Sequence, residues 1–515
     1  MKQVLGDFLD EVCDKYSQNE CIYFPTTGAT YTYEMFRQYV CDVEKGLVAL
    51  GLNKGDLIAI KSSNTPEWLA MQWAGFKLGI IVVGLNAGLT PVEVAHAMKH
   101  TGARILFTDD MNYIIGKEKD YRVIIWEYAN QFIIDLGKTI ETATIEERNM
   151  TVTAMDPALI LFTSGTTSEP KAVLMKHSAI LSAIAAYNKT LSYKQADANQ
   201  QDNALVCTPL AHMMGCLYGI MPVLAFGGKI TLVEKFKTNT VLEIIEKERC
   251  TIFNGVPTMF LFLLDEYRDY DISSLRTGLI AGSYVATKLY KRITEELGMG
   301  ELLQAFGQTE TLAATGISMK DPWEKRMCTT GKALENVEIK IISPENKDGK
   351  EIILGPNERG EILIRSPYCM MEYLKNETAT KKTINKEGWV HTGDLGYLDE
   401  EGYLYIKSRL KDIIIKGGEN ICPAEIEDAL VQMEEIKEAV VVGVPDVYKT
   451  EEICAFVVPE DEEPLHIEQI KRALRKGLAK YKIPKYIIRI GRFPKTNSGK
   501  VKKEELKSLY SILAQ

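Results

Sequence analysis

Apolar residues gather in short, β-rich runs at 57–62 (LIAIKS), 104–108 (RILFT) and 204–208 (ALVCT), and helix-like stretches such as 33–50 and 241–249 lie between such runs. Strand and helix alternate in this way through roughly the first four hundred residues. The alternation predicts an α/β architecture whose largely parallel sheets are covered by helices. After about residue 355 the texture changes to shorter strands parted by Gly- and Asp-bearing turns, as in 359–365 (RGEILIR) and 394–406 (DLGYLDEEGYLYI), which predicts a β-rich subdomain. The run Ser408-Arg409-Leu410-Lys411-Asp412 then opens a last segment with its own order: helix 423–432, strands 438–444 and 453–459, helix 466–479. The expected organisation is a large N-terminal domain over 1–409 and a small, mobile α+β domain over 410–515.

Composition adds bounds. A chain of 515 residues, 46% hydrophobic and 25% charged, is too long for one comfortable core, so two or more domains are expected. The ten cysteines are scattered singly from Cys13 to Cys454 without a CxxC pair. That suits a reducing compartment, with most of them acting as small buried hydrophobes. The N-terminus meets Asp7 almost at once and lacks the basic start and apolar run of a secretory signal. The apolar run 79–90 (GIIVVGLNAGLT) is shorter than the roughly 20 residues that cross a bilayer. A cytoplasmic protein without a membrane span is expected.

The net charge of −9 argues against a nucleic-acid binder, but its distribution is uneven. Residues 411–468 hold 4 basic and 16 acidic positions, whereas 471–507 hold 14 basic and 2 acidic. The basic stretch suits a polyanion such as ATP or a CoA nucleotide, a nucleic acid, or simply a solvated surface, and charge alone does not choose among them.

The most informative stretch is 160–175, ILFTSGTTSEPKAVLM, an apolar strand followed by Thr163, Ser164, Gly165, Thr166, Thr167 and Ser168, and then Lys171. Small hydroxylated residues let backbone amides and hydroxyls turn toward a phosphate, to which a lysine adds positive charge. It is not a Walker loop, because Pro170 precedes Lys171 and Ala172 follows it. The stretch resembles the S-G-T-T-G-x-P-K-G signature of the adenylate-forming (AMP-binding) superfamily, and acyl-CoA synthetases of the medium-chain or aryl-acid type are the most similar branch. Ser168 and Ala172 stand where that signature has glycines.

Further motifs of the superfamily follow in order. Residues 304–310, QAFGQTE, are similar to its Q-G-Y-G-x-T-E segment; the resemblance implies nucleotide contacts at Gln304, Ala305, Phe306, Gly307 and Thr309, with Phe306 against adenine, and Mg²⁺ on Glu310, Thr166 being a second, weaker candidate. Residues 389–394, WVHTGD, are similar to W-x-x-T-G-D and place Asp394 on the ribose, a carboxylate being an apt acceptor for a vicinal diol. Arg409 matches the arginine that supports the ribose, and Lys411 falls at the hinge. Residues 494–501, PKTNSGKV, match P-[KR]-T-x-[ST]-G-K-[IV] at every position, which makes Lys500 the catalytic lysine of adenylation. Negative charge develops on phosphoryl oxygens as a carboxylate attacks, and a point cation there favours the transition state.

Gly417, Gly418 and Glu419 resemble the small-domain loop that completes the thioesterification site after a rotation about the hinge. Residues 209–215, PLAHMMG, resemble P-[LM]-x-H-x-x-G, where the histidine borders the acyl pocket and the thiol passage. His212 takes that role. The acyl pocket implied comprises His212, Met213, Val256, Ala281, Gly282, Ala313 and Ala314, with Gly282 and Ser283 also near the nucleotide and the alanines leaving room along one wall. Amino-acid-activating members carry an Asp in this region, and none stands between Asp202 and Asp265, which disfavours an α-amino acid. His96 and His100 lie four apart on a helix without an H-E-x-x-H pattern and are read as helix residues rather than a metal pair.

The resemblance implies an ATP-dependent acyl-CoA ligase with ATP, Mg²⁺ and coenzyme A, acting on a small to medium-chain hydrophobic carboxylic acid. An aryl acid, or an acyl carrier protein in place of CoA, stays open, as does a homodimer; a degenerate adenylate-binding protein is the reading from outside the enzyme class.

Overall fold

The computed structural model describes residues 4–111, 113, 121–163, 170–344, 351–417, 419–446, 448–461, 463–495 and 501–513. One sheet has seven strands, in the order Glu372–Tyr373, Lys171–Lys176, Pro157–Thr163, Ile81–Leu85, Leu57–Lys61, Ile105–Thr108 and Arg122–Ile125. From Pro157–Thr163 onward its pairings are parallel, while the end carrying Lys171 is antiparallel. The strand Ile81–Leu85, which holds part of the apolar 79–90 run, is buried at every position. An unbroken apolar run is what a strand covered on both faces requires. The helix before it, Pro66–Leu78, is capped by the Thr65 hydroxyl, which accepts from the Trp68 amide, and ends at Gly79 with φ of 67°. Glycine adopts that left-handed conformation without steric cost.

A second sheet has nine strands: Lys332–Ala333, Leu312–Gly316, Glu301–Gln308, Thr277–Ile280, Ile252–Phe253, Asn203–Val206, Lys229–Leu232, Glu20–Phe24 and Ala29–Thr32. It is parallel at its centre but, unlike the first, antiparallel at both ends. The predicted parallel character therefore holds for the central strands. Where consecutive strands are joined by a tight turn instead of a crossover helix, they must run antiparallel.

The β-rich subdomain is a four-stranded antiparallel sheet of Glu338–Ile342, Gly360–Arg365, Val390–Leu398 and Leu404–Arg409. The chain leaves it through a single 3₁₀ turn, Leu410–Asp412. The next sheet joins Glu419–Ile421, Ile414–Lys416, Thr450–Pro459 and Ile436–Asp446, and Tyr486–Arg489 adds in parallel to Thr450–Pro459. The helices Pro423–Val431, Ile467–Gly477 and Lys503–Leu513 accompany it.

Apolar packing divides at the same turn. Among the described residues, each buried apolar cluster draws either on residues up to Ile406 or on residues from Ile414 onward, and none draws on both. Polar contacts cross the divide: the Tyr284 hydroxyl donates to Asp428 at 2.7 Å, Lys437 pairs with Asp265 at 2.7 Å, and Lys288 donates to the Met433 carbonyl at 3.3 Å. All ten cysteines are free, and Cys13, Cys21, Cys207, Cys216, Cys250 and Cys454 are buried. Among the described residues no helix is long and apolar enough to cross a membrane.

Candidate active site

The strands Pro157–Thr163 and Lys171–Lys176 pair with Thr163 opposite Lys171, so the two ends of the Ser/Thr/Gly stretch are held side by side. Ser164, Gly165, Thr166 and Thr167 lie outside the described residues. Lys171 sets its ammonium 4.7 Å from the centre of the Tyr373 ring, a cation–π contact. Tyr373 reaches this place because Glu372–Tyr373 pairs with the Lys171 strand. Its hydroxyl donates to Glu310 Oε1 at 2.7 Å. Burial and the adjacent Glu310 carboxylate push that phenol well above the ordinary tyrosine value, so it stays protonated and donating. One tyrosine thus links Lys171 to the carboxylate expected to hold Mg²⁺.

Glu310 itself sits in the turn between Glu301–Gln308 and Leu312–Gly316, its backbone carbonyl accepting from the Met370 amide at 2.8 Å. The turn is tight enough to demand glycine at 307, where a Cβ would lie 2.1 Å from the Leu312 carbonyl oxygen. Phe306, Ala305 and Thr309 ride on the same strand and turn, Phe306 buried and the other two partly exposed. Gln304 behaves differently. Its amide donates to the carbonyls of Arg326 and Met327 at 2.9 and 3.0 Å, so this side chain braces the Trp323–Cys328 helix.

Asp394 and Arg409 face each other across adjacent antiparallel strands, and Arg409 Nε lies 2.8 Å from Asp394 Oδ1. Gln308 Nε2 donates to Asp394 Oδ2 at 2.6 Å and to the Thr392 carbonyl at 2.8 Å. Asp394 is only 5% exposed as a residue, and these donors orient its carboxylate. The sequence reading missed Gln308 and Tyr373: Gln308 occupies the unspecified position of its motif, and Tyr373 carries no local signal.

The turn before Asp394 is braced by Glu361, which accepts from the Gly393 amide at 3.2 Å and pairs with His391 Nδ1 at 3.1 Å. The Glu361 partner raises the His391 pKa above its ordinary value. A raised folded-state pKa contributes stability that is complete below the unfolded value and is lost as pH rises through the folded one. The stability difference between the wild type and His391→Gln is therefore expected to shrink as pH is raised from about 6 to about 9. Denaturant titration at both ends of that range would measure it, and a gap that widened would contradict the pairing.

His212 Nε2 lies 3.4 Å from the side-chain amide nitrogen of Asn86. Met213 and Met214 follow it into a π-helical turn, Met214–Tyr218, a geometry enriched at functional sites. Gly282 has φ of 91°, and a Cβ placed on it would meet Val256 Cγ1 at 3.2 Å and Met214 Cε at 3.9 Å. Met214, Val256 and Gly282 therefore converge, with Ala281 adjoining and Ser283 exposed beside them. Ala313 and Ala314, both buried, lie on the strand Leu312–Gly316 at a register shift: Phe306 pairs with Thr315 and Gly307 with Ala313, so Ala314 is the extra residue of a β-bulge, where strict alternation of faces does not hold. Ala313 is held by its amide, which donates to the Tyr218 hydroxyl at 2.6 Å.

Lys411 lies in the 3₁₀ turn between the two sheets. Gly417, with φ of 60°, turns the chain from Ile414–Lys416 into the strand that begins at Glu419; Gly418 is outside the described residues. Lys500 is also outside them. Its flanks are anchored: Lys495 bridges to Val501, and the Lys502 amide donates to the Pro494 carbonyl at 2.8 Å.

No group of three or more metal-ligating side chains occurs among the described residues. Glu310 suits a metal held mainly by nucleotide phosphates, as Mg²⁺ commonly is, because only its Oε1 is engaged among the described residues.

The chain matches the model described as AMP-binding enzyme over residues 9–374 and that described as AMP-binding enzyme C-terminal domain over 425–500. It is 33% identical to YngI of Bacillus subtilis (strain 168), named provisionally as an acyl-CoA synthetase, over 98% of this chain and 96% of that one. It is 30% identical to the mitochondrial medium-chain acyl-CoA ligase ACSF2 of Bos taurus, over 98% and 87%. Among solved structures, o-succinylbenzoate CoA synthetase (MenE) of Bacillus subtilis, in complex with its acyl-adenylate intermediate, superposes with a TM-score of 0.78 at 27% identity over 97% of both chains.

Proposed function

The chain belongs to the AMP-binding enzyme family and is an AMP-forming acid–thiol ligase of the acyl-CoA synthetase type, using ATP and CoA; we propose that its acid is a small to medium-chain hydrophobic monocarboxylic acid. The observation that carries this choice is the apolar convergence at Gly282, where Val256 and Met214 are the side chains within reach. Methionine there adapts to a flexible chain. The name of the bovine relative, a medium-chain acyl-CoA ligase, supports the same class.

In the first half-reaction the acid's carboxylate attacks the α-phosphorus of ATP, giving acyl-AMP and pyrophosphate. Asp394, oriented by Gln308 and Arg409, accepts the ribose hydroxyls. Phe306 lies against adenine, while Lys171 and Thr309 serve the phosphates together with the hydroxyls of 163–167. Glu310, held by Tyr373, would hold Mg²⁺, whose charge would offset that of the phosphates. Lys500 stabilises the charge that develops at the α-phosphate.

In the second half-reaction the thiol of CoA attacks the acyl carbonyl and AMP leaves. His212 borders the thiol's path, and the Gly417–Glu419 loop closes over it after a rotation of the small domain about Lys411. Two features support such a rotation: the apolar cores are separate, and the contacts crossing the seam include ion pairs and hydrogen bonds.

Pyrophosphate release measured over a panel of straight-chain, branched and aryl acids, with and without CoA, tests the reading. Release is expected to be fastest with an unbranched aliphatic acid and to yield free acyl-CoA. Preference for an aryl acid or a dicarboxylate would overturn the substrate class, and acyl transfer only to a carrier protein would overturn the acceptor.

A further inference from the structure

The Gly417 turn rests on an arrangement that neither its motif nor its position in the chain announces. Lys416, the last residue before the turn, places its ammonium 2.5 Å from Glu452 Oε1. Lys449 places its own 3.1 Å from Glu452 Oε2, while its carbonyl accepts from the Gly417 amide at 2.8 Å. Glu452 is 1% exposed, and its Oε1 also accepts from the Ile453 amide at 3.0 Å. A carboxylate so deeply buried is tolerated only when paired and hydrogen-bonded. Burial works against its ionisation, but Lys416 and the other donors outweigh that and hold the pKa below the ordinary glutamate value.

A second observation marks the same place. Thr450, which pairs with Lys416 across the sheet, has φ of 71°. A β-branched residue in the left-handed region is strained and persists only where its surroundings hold it. Two turns, one at Gly417 and one ending at Thr450, are thus locked together by one buried carboxylate and one backbone hydrogen bond. Around Gly417 itself there is open space on the side where a Cβ would stand.

We propose that Glu452 is a positioning residue for thioester formation: through Lys416 and Lys449 it fixes the Gly417 loop in the shape that receives the thiol arm. The inference rests on the reading of that loop as part of the thioesterification site. Glu452 touches no reacting atom, and it has no part in adenylation.

The test uses the full chain and whichever acid the panel identifies. Glu452→Gln keeps the shape but removes the charge, and Lys449→Met removes one cation while leaving Lys416 paired. Both are expected to leave pyrophosphate release in the absence of CoA within about two-fold of the wild type and to slow CoA-dependent acyl transfer from preformed adenylate by about ten-fold. Hydrogen exchange of the amides in 414–421 should accelerate by at least about ten-fold in Glu452→Gln, with 436–444 unchanged. Equal loss in both half-reactions, or no change in exchange at 414–421, would overturn the proposal. Gly417→Leu separates the inference from its premise: if that variant transfers acyl groups normally, the loop reading fails, whereas a transfer defect in Gly417→Leu without one in Glu452→Gln refutes the role of Glu452 alone.

Discussion

Lys500→Ala is expected to lower pyrophosphate release from ATP and acid by about 10²–10³-fold, the loss that follows removal of one preorganised group from developing transition-state charge. The charge in question appears on the phosphoryl oxygens only as the carboxylate attacks, so the loss should fall on kcat more than on KM for ATP. Transfer from preformed acyl-adenylate to CoA involves no phosphoryl transition state and should change by no more than a few-fold. Among the described residues on either side of it, Lys495 bridges to Val501, and Lys503 sets its ammonium 2.9 Å from Asp412, next to the proposed hinge. Lys500→Arg should recover little, because a planar fork does not replace a compact point charge. Rapid-quench measurement of both half-reactions decides the matter, and unchanged pyrophosphate release in the alanine variant would remove Lys500 from the mechanism.

Asp394→Ala should raise KM for ATP by about 10²-fold. Two charge-assisted hydrogen bonds to the ribose hydroxyls, at about 1.5 kcal/mol each, would be lost. Folding should suffer less than the burial of this carboxylate suggests, because Arg409 is 43% exposed and can turn its charge to water. Asp394→Asn provides the control. It keeps an acceptor and a neutral shape but brings an NH₂ toward Gln308 and Arg409, both donors, so its defect should lie close to that of alanine. A nucleotide lacking both ribose hydroxyls should erase the difference between variant and wild type; if the variant remained much the weaker with it, Asp394 would be acting elsewhere than at the ribose.

Much of this was legible along the chain. Short β-rich and helix-like runs anticipated the α/β body, the β-rich subdomain and the helix, two strands and helix between 423 and 479, because those patterns reflect burial on one or both faces of an element; the short strands Ile414–Lys416 and Glu419–Ile421 just after Lys411 were not anticipated. The motifs around Lys171, Glu310, Asp394 and Arg409 were visible because each is a short segment whose backbone shape needs particular residues, as Gly307 shows by its approach to the Leu312 carbonyl. What was not legible involves partners far apart. Tyr373 lies 63 positions from Glu310, and Gln308 lies 86 from Asp394. The β-bulge at Ala314 was illegible for a related reason: the register shift that makes it is set by pairing with the strand Glu301–Gln308.

Local chemistry therefore decided which segments become strands, turns and ligand-facing loops, since hydrophobic period, glycine conformation and hydroxyl-rich composition act within a few residues. Tertiary structure decided which of those segments meet. Only the pairing of Glu372–Tyr373 with the Lys171 strand brings a phenol between lysine and carboxylate, and only the meeting of Lys416, Lys449 and Glu452 secures the Gly417 turn. Such meetings depend on sheet order and register, which are settled by the burial of whole faces rather than by any one residue's preference.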